Sequence, residues 1–253
     1  MKLKLSFLTL LIFISMSVFA QQPKVIAHRG FWKTAGSAQN SVTSLCKADS
    51  IHAFGSEFDI WITADNKIVV NHDPSYQNVV METAKYKDVK KLKLKNGECI
   101  PTLKSYLKKA KKLNVQMILE VKSHKNMDRQ NACIDATLAM VKKMKMESRM
   151  TYIAFSLDAV KRLIEKAPKG TEVYFLSGGL SPKELKAIGC AGPDYEQNEF
   201  KTHPDWIKET HELGMKVNVW TVDNPTSLQY FIDNGADYIT TNEPVLLQKL
   251  LNK

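Results

Sequence analysis

SEFDIWITADNKIVVNHD, residues 56–73, reads as two short apolar arms joined by an acid-containing turn, a β-hairpin. Along a strand, side chains alternate between faces, so Glu57 and Asp59 point the same way. A strand that turns two carboxylates inward must neutralise them, because buried unpaired charge is very costly. A hard divalent cation would do so, and so would arginine or lysine. The return arm then delivers His72, followed by Asp73. The fold depends on how this hairpin is counted. If the first arm belongs to a larger sheet and the return arm is an excursion, it contributes one strand.

Outward from the hairpin, strands and helices alternate. Upstream, Lys24-Val-Ile-Ala-His28-Arg29-Gly30 is a short strand, and Asn40-Ser41 offers an N-cap for a helix over 42–54. Downstream, residues 74–100 are irregular and lysine-rich, and a helix begins at Pro101 and runs to about Leu113. VQMILEVK, residues 115–122, is a strand that places Glu120 and Lys122 on one face. Helices are predicted over 127–146 and 158–166, with strands over 151–156 and 172–177. Ser181-Pro182-Lys183-Glu184 has the form of a capping box with proline at the first helical position. A weaker strand is predicted over 194–198, then a helix over 204–213 closed by Gly214. A strand over 216–222, a helix opening at Asn224-Pro225, a strand over 236–241 and a short helix from Pro244 complete the chain.

Strands thus centre near positions 25, 57, 117, 152, 173, 195, 218 and 238, eight in all, each followed by a helix. That alternation argues for a parallel sheet. Eight units in a chain of this length favour an α/β fold of the (β/α)8 TIM-barrel type, for which about 250 residues is typical, with a small β-hairpin excursion after strand two. No G-x-G-x-x-G or P-loop pattern follows any strand, which argues against a doubly wound sheet.

Of the 253 residues, 44% are hydrophobic and 25% charged, as in an ordinary globular protein. The first twenty differ. Lys2 and Lys4 precede an apolar run that ends in Val18-Phe19-Ala20, the pattern of a signal peptide. Residues 21–253 would then form the single exported domain, periplasmic or secreted. No later apolar run approaches the ~20 residues needed to cross a bilayer. The formal charge is +10, and eleven lysines fall between Lys85 and Lys112. A basic surface favours anionic lipids or phosphorylated substrates, but lysines so spaced also describe the solvated face of helices. Aromatic residues are sparse there, so a nucleic-acid partner is not supported. Cys46, Cys99, Cys133 and Cys190 are scattered, with no zinc-ligand spacing.

In a (β/α)8 barrel the C-terminal ends of the strands gather around one mouth. Strand one delivers His28 and Arg29 there, strand two Glu57 and Asp59, strand three Glu120 and Lys122, and strand seven Trp220. Three carboxylates form an all-oxygen ligand set suited to one divalent ion, Mg2+ or Ca2+. Arg29 and Lys122 would attract a phosphate. His28 and His72 supply a base and an acid able to exchange roles near neutral pH. Metal and cationic donors around a phosphate stabilise the charge of phosphoryl transfer, so the set points to hydrolysis of a phosphate ester.

The ordered motifs H-R-G (His28–Gly30), A-x-N (Ala38, Asn40), E-x-D (Glu57, Asp59), H-D (His72, Asp73), I-P-T-L (residues 100–103), L-E-V-K (residues 119–122), V-W-T-V (residues 219–222) and T-N-E-P (residues 241–244) resemble the glycerophosphodiester phosphodiesterase family. The resemblance runs through nearly all of residues 21–253. It implies a barrel that hydrolyses a glycerophosphodiester to an alcohol and glycerol phosphate. It also implies that His28 and His72 are catalytic, that Glu57, Asp59 and Glu120 hold the metal, that Arg29, Asn40 and Lys122 contact phosphate, and that Trp220 lines the substrate pocket. Two positions depart from the family pattern: Gln39 stands where glutamate is usual, and Asn242 where aspartate is common. A reduced covering segment after Asp73 bears on substrate size. Two other readings fit the residues: a phospholipase-type diesterase acting on lipid head groups, and a non-catalytic protein binding phosphodiesters or lipids. His52, His124, His203 and His211 lie on or beside helices and read as surface residues.

Overall fold

The structure, a computed structural model, describes residues 22–252. The predicted signal peptide lies outside the described residues. β1 (Lys24–Ala27) is followed by α1 (Val42–Ser50), β2 (Gly55–Ile62) and β3 (Ile68–Val70). An excursion then carries β4 (Ser75–Tyr76), β5 (Val79–Val80) and the one-turn α2 (Tyr86–Val89). Next come α3 (Leu103–Ala110), β6 (Gln116–Val121), α4 (Met127–Met144), β7 (Met150–Ala154) and α5 (Leu157–Lys166). The last part contains β8 (Val173–Phe175), α6 (Pro182–Ile188), β9 (Gly192–Glu196), α7 (Gln197–Thr202) and α8 (Trp206–Glu212). It closes with β10 (Asn218–Trp220), α9 (Pro225–Asp233), β11 (Tyr238–Thr241) and α10 (Pro244–Leu251).

Eight of these strands form a closed parallel barrel in the order β1-β11-β10-β9-β8-β7-β6-β2, with β2 returning to pair with β1. Closure leaves no exposed edge in the barrel itself. β3 lies antiparallel on the end of β2, with Ile60 opposite Val70, so the return arm is the excursion expected from the sequence.

Alternation along each barrel strand separates two apolar regions. Phe58 and Ile60 of β2 face the helices, where Phe58 packs on Tyr106 of α3 at 4.7 Å between ring centres. Ile26, Ile118, Ile153, Tyr174, Leu176 and Tyr238 pack together on the inner side. α3 buries Leu103, Tyr106, Leu107 and Ala110 and leaves Lys104, Lys108 and Lys109 exposed, a stripe at helical spacing. All eleven lysines between Lys85 and Lys112 are exposed.

Local signals set the helix starts. Ser41, Thr102, Asn126, Ser156 and Asn224 each accept a backbone N–H of the following helix with their side chains. The Ser181–Glu184 capping box forms as expected. Gly192 opens β9 where an added Cβ would lie 1.8 Å from the Lys216 carbonyl oxygen, so the neighbouring backbone leaves room only for glycine.

Several local expectations differ from the structure. α1 ends at Ser50 rather than near 54, because His52 takes a left-handed φ of 55° and turns the chain into β2. β9 begins two residues earlier than expected, and residues 197–202 leave the sheet as α7, capped by the Glu196 side chain. Residues 74–100 contain a two-stranded hairpin and a helical turn, not only irregular chain. The cysteines are unpaired. His124 is half-buried, not a surface residue. Its ring lies 5.0 Å from that of Trp61, its Nδ1 faces the Lys122 carbonyl at 2.7 Å, and its Nε2 accepts from the Ile62 N–H at 3.3 Å. It therefore ties the ends of β2 and β6 together.

Candidate active site

β2 and β6 pair so that Asp59 lies directly opposite Glu120, and Glu57 opposite Ile118. Inward alternation then brings Glu57, Asp59 and Glu120 into one buried cluster, with one carboxylate oxygen from each lying within 4.8 Å of the others. One oxygen of each acid, Glu57 Oε1, Asp59 Oδ1 and Glu120 Oε1, has no hydrogen bond among the described residues. A buried carboxylate cluster that leaves one oxygen of each acid without a hydrogen bond fits a hard divalent cation. Lys122 Nζ lies 2.7 Å from Glu120 Oε1 and 3.4 Å from Asp59 Oδ1, close ion pairs without hydrogen-bond alignment.

The charges divide unequally. Burial and the neighbouring Asp59 push the Glu120 carboxyl up to about 8. Burial, with Asp59 and Glu120 beside it, also pushes Glu57 well above the usual carboxylate range. Burial acts on Asp59 in the same sense, but the charges of Lys122, His72 and Arg29 outweigh it and hold that carboxyl low. Lys122 is raised because Asp59 and Glu120 outweigh its own burial. Without a divalent ion, the cluster relieves its repulsion by holding protons.

Each member is anchored from below or beside. Arg29 has a left-handed φ of 57°, which turns its backbone N–H onto Glu57 Oε2 at 2.8 Å. Its guanidinium donates to Gln39 Oε1 at 2.8 Å, and Nε lies 3.8 Å from Asp59 Oδ2. Gly30 follows with φ of 75°, and an added Cβ there would lie 2.5 Å from Ser44 Oγ. Asn40 is buried and uses both ends of its amide on Asp59, donating Nδ2 to Oδ2 at 2.8 Å and accepting the Asp59 N–H at 3.2 Å. The structure thus places Asn40 beneath a carboxylate of the cluster.

The two histidines are held by different partners. Asn242 Nδ2 donates to Asp223 Oδ2, which fixes the amide so that Oδ1 faces His28. His28 Nδ1 and Trp32 Nε1 both donate to that oxygen at 2.9 Å. The ring's Nε2 is left free on the cluster side, 3.9 Å from Glu57 Oε2. Burial, with the nearby Arg29 charge, lowers the His28 imidazole to about 4, so the ring is neutral near pH 7. His72 Nδ1 faces Asp73 Oδ1 at 2.7 Å, which leaves its Nε2 free as well.

One cleft joins these groups, holding about 450 Å³ of space including its open mouth. His28, Arg29, Glu57, His72 and Glu120 line one side, and Phe155, Asp194 and Trp220 part of the other. Trp220 donates its indole N–H to the Asp194 carbonyl. Sequence reasoning did not single out Trp32, Phe155, Asp194 or Asp223. Their partners lie far off in the chain: Trp32 and Asn242, for instance, are separated by 210 positions.

Catalytic, metal-binding and phosphate-binding candidates from distant segments therefore meet at the C-terminal mouth of a (β/α)8 barrel, where such enzymes carry their chemistry. The sequence model of the glycerophosphoryl diester phosphodiesterase family matches residues 28–246. A solved glycerophosphodiester phosphodiesterase from Parabacteroides distasonis is 49% identical, covers 91% of this chain and 97% of its own, and superposes with a TM-score of 0.90. A glycerophosphodiester phosphodiesterase of Caldanaerobacter subterraneus subsp. tengcongensis is 24% identical over 90% of this chain and 98% of that protein. A phosphodiesterase of Oleispira antarctica, solved with the product sn-glycerol-3-phosphate, shares the fold at 19% identity and a TM-score of 0.81, covering 92% and 98% of the two chains. The chain belongs to the glycerophosphoryl diester phosphodiesterase family, a family of phosphoric diester hydrolases.

Proposed function

We propose that this protein is an exported, metal-dependent glycerophosphodiester phosphodiesterase that releases an alcohol and glycerol phosphate. The observation that carries the reading is one cleft lined by His28, His72, Glu57 and Glu120, each imidazole with a free Nε2, with Asp59 completing the buried carboxylate cluster beside it. Glu57, Asp59 and Glu120 would hold one divalent ion, Mg2+ or Ca2+, both of which suit an all-oxygen set. A bound ion supplies charge neutralisation at the phosphate. The Arg29 guanidinium and the Lys122 ammonium orient the phosphate, while Asn40 keeps Asp59 in place.

His28 is the better base. Its Nδ1 proton is committed to Asn242, and the neutral ring offers the Nε2 lone pair to a nucleophile. His72, held by Asp73, is placed to carry a proton on Nε2 and give it to the leaving alkoxide. The neutral residues at 39 and 242 are compatible with catalysis, since Gln39 still orients Arg29 and Asn242 still orients His28. Export rests on the basic and apolar pattern of residues 1–20.

A panel of glycerophosphodiesters assayed with EDTA and then with Mg2+ or Ca2+ added back tests the reading, with micellar phospholipid as a separate arm. Activity on the soluble diesters should disappear with EDTA and return with the metal. His28→Ala and His72→Ala should each lower kcat by about 10²-fold or more. Near-normal turnover in both variants would overturn the mechanism, and turnover of micellar phospholipid alone would favour a phospholipase-type diesterase.

A further inference from the structure

Asp194 is buried in the barrel interior and is not one of the three clustered carboxylates. Interior positions of such barrels are ordinarily filled by branched apolar side chains. Its Oδ1 accepts from Asn218 Nδ2 at 2.8 Å, and the same amide donates to Thr240 Oγ1 at 3.0 Å. Among the described residues its Oδ2 has no hydrogen-bond donor, and none of their Lys, Arg or His side chains lies within ion-pair distance of the carboxylate. A carboxylate in that setting is costly unless it takes up a proton or a positive group joins it.

The surroundings narrow what that is. Asp194 lines the same cleft as the histidines, on the wall made by Ile153, Phe155, Leu176 and Trp220. Phe155 and Trp220 meet edge to face at 5.5 Å, so the wall offers aromatic surface beside one buried carboxylate. A hard metal ion needs six or more oxygens, which one carboxylate and an amide do not supply. An anion would be repelled. An organic ammonium suits the set, because its charge meets the carboxylate and its carbon shell meets the aromatic wall.

We propose that Asp194, with Phe155 and Trp220, forms a subsite that selects glycerophosphodiesters whose alcohol carries an ammonium group. This inference rests on the diesterase reading above and adds the class of head group. Asn218 and Thr240 position the carboxylate, and the phosphate end of the substrate stays with Arg29 and Lys122.

Two measurements test it. The first is calorimetric titration of the metal-loaded wild-type protein with choline and with its neutral isostere 3,3-dimethylbutan-1-ol. Choline should bind at least about tenfold more tightly; equal affinity, or no choline binding, overturns the proposal. The second is the ratio of kcat/KM for glycerophosphocholine to that for glycerophosphoglycerol in wild type and Asp194→Asn. The ratio should fall at least about tenfold in the variant, and a ratio within about twofold of wild type refutes the subsite, as expected if Asp194 is only structural or meets the glycerol end shared by both substrates. If Asp194→Asn does not fold, the titration alone decides. Choline binding without turnover of any diester would sink the diesterase reading and leave the subsite standing, whereas turnover without discrimination would do the reverse.

Discussion

His28 shows how one neutral neighbour sets a residue's chemistry. A carboxylate on Nδ1 would favour the imidazolium, whereas Asn242 fixes the tautomer without adding charge. Burial and Arg29 then keep the ring low, at about 4. A base must be unprotonated, so kcat/KM should fall on the acid side only as pH drops towards about 4. A metal-saturated pH–rate profile checks this, and an acid limb at pH 6 to 7 that disappears in His28→Ala would contradict it. Asp194 carries a different pH dependence. Burial raises its carboxyl to about 7, above the unfolded value of about 3.9. The folded state therefore holds an extra proton between those values, so stability is fully present below about pH 4 and is lost as pH rises to about 7. Urea titrations at pH 5 and pH 8 should show wild type losing up to a few kcal/mol more than Asp194→Asn across that interval. Glu57 and Asp59 were legible in the sequence because a spacing of two on a strand dictates a shared face, and Glu120 because strand ends gather at one mouth of a barrel. Asp194 was not, because its strand is short and polar and its neighbours in the cleft come from other strands.

Among the elements, helix starts were the easiest to read, since Ser181, Pro182 and Glu184 encode a cap in four residues. Helix ends and weak strands were harder. Nothing apolar marks the left-handed turn at His52 that stops α1, and α7 is a short helix held by the fold around it. β9 began early because Gly192 can approach the Lys216 backbone, a constraint set by the neighbouring strand rather than by local sequence. Gly192→Ala should therefore cost about 3 kcal/mol or more, read as a large fall in Tm or loss of soluble protein. An unchanged Tm would mean that β9 and β10 separate more easily than their close approach indicates.

For the whole molecule, strand–helix alternation carried the fold, and eight repeats were enough to name a barrel. What the sequence could not show is closure, because the pairing of β1 with both β2 and β11 joins segments from opposite ends of the chain. It did single out Lys122 among the lysines. The eleven between Lys85 and Lys112 are exposed, while Lys122, of the same residue type, is held among carboxylates. On the metal-dependent reading, the buried acids would make the folded barrel a better ligand for a divalent ion than the unfolded chain. After EDTA treatment, Mg2+ or Ca2+ at about 100 times its Kd should stabilise the protein by about 2.7 kcal/mol. Calorimetric melting measures this directly, and Glu120→Gln should diminish the rise.

The pairing of β1 with β11 also fixes the direction from which the protein can be held. β1 starts and α10 finishes on the side of the barrel opposite the cleft, and the Gln22 side chain donates to the Leu251 carbonyl at 2.9 Å. The first and last described residues therefore lie at the rear of the molecule as near neighbours. A tether joined at either of those points, to a bead, a fusion partner or a surface, would turn the mouth outward to the medium and leave the path to Trp220 and His72 open.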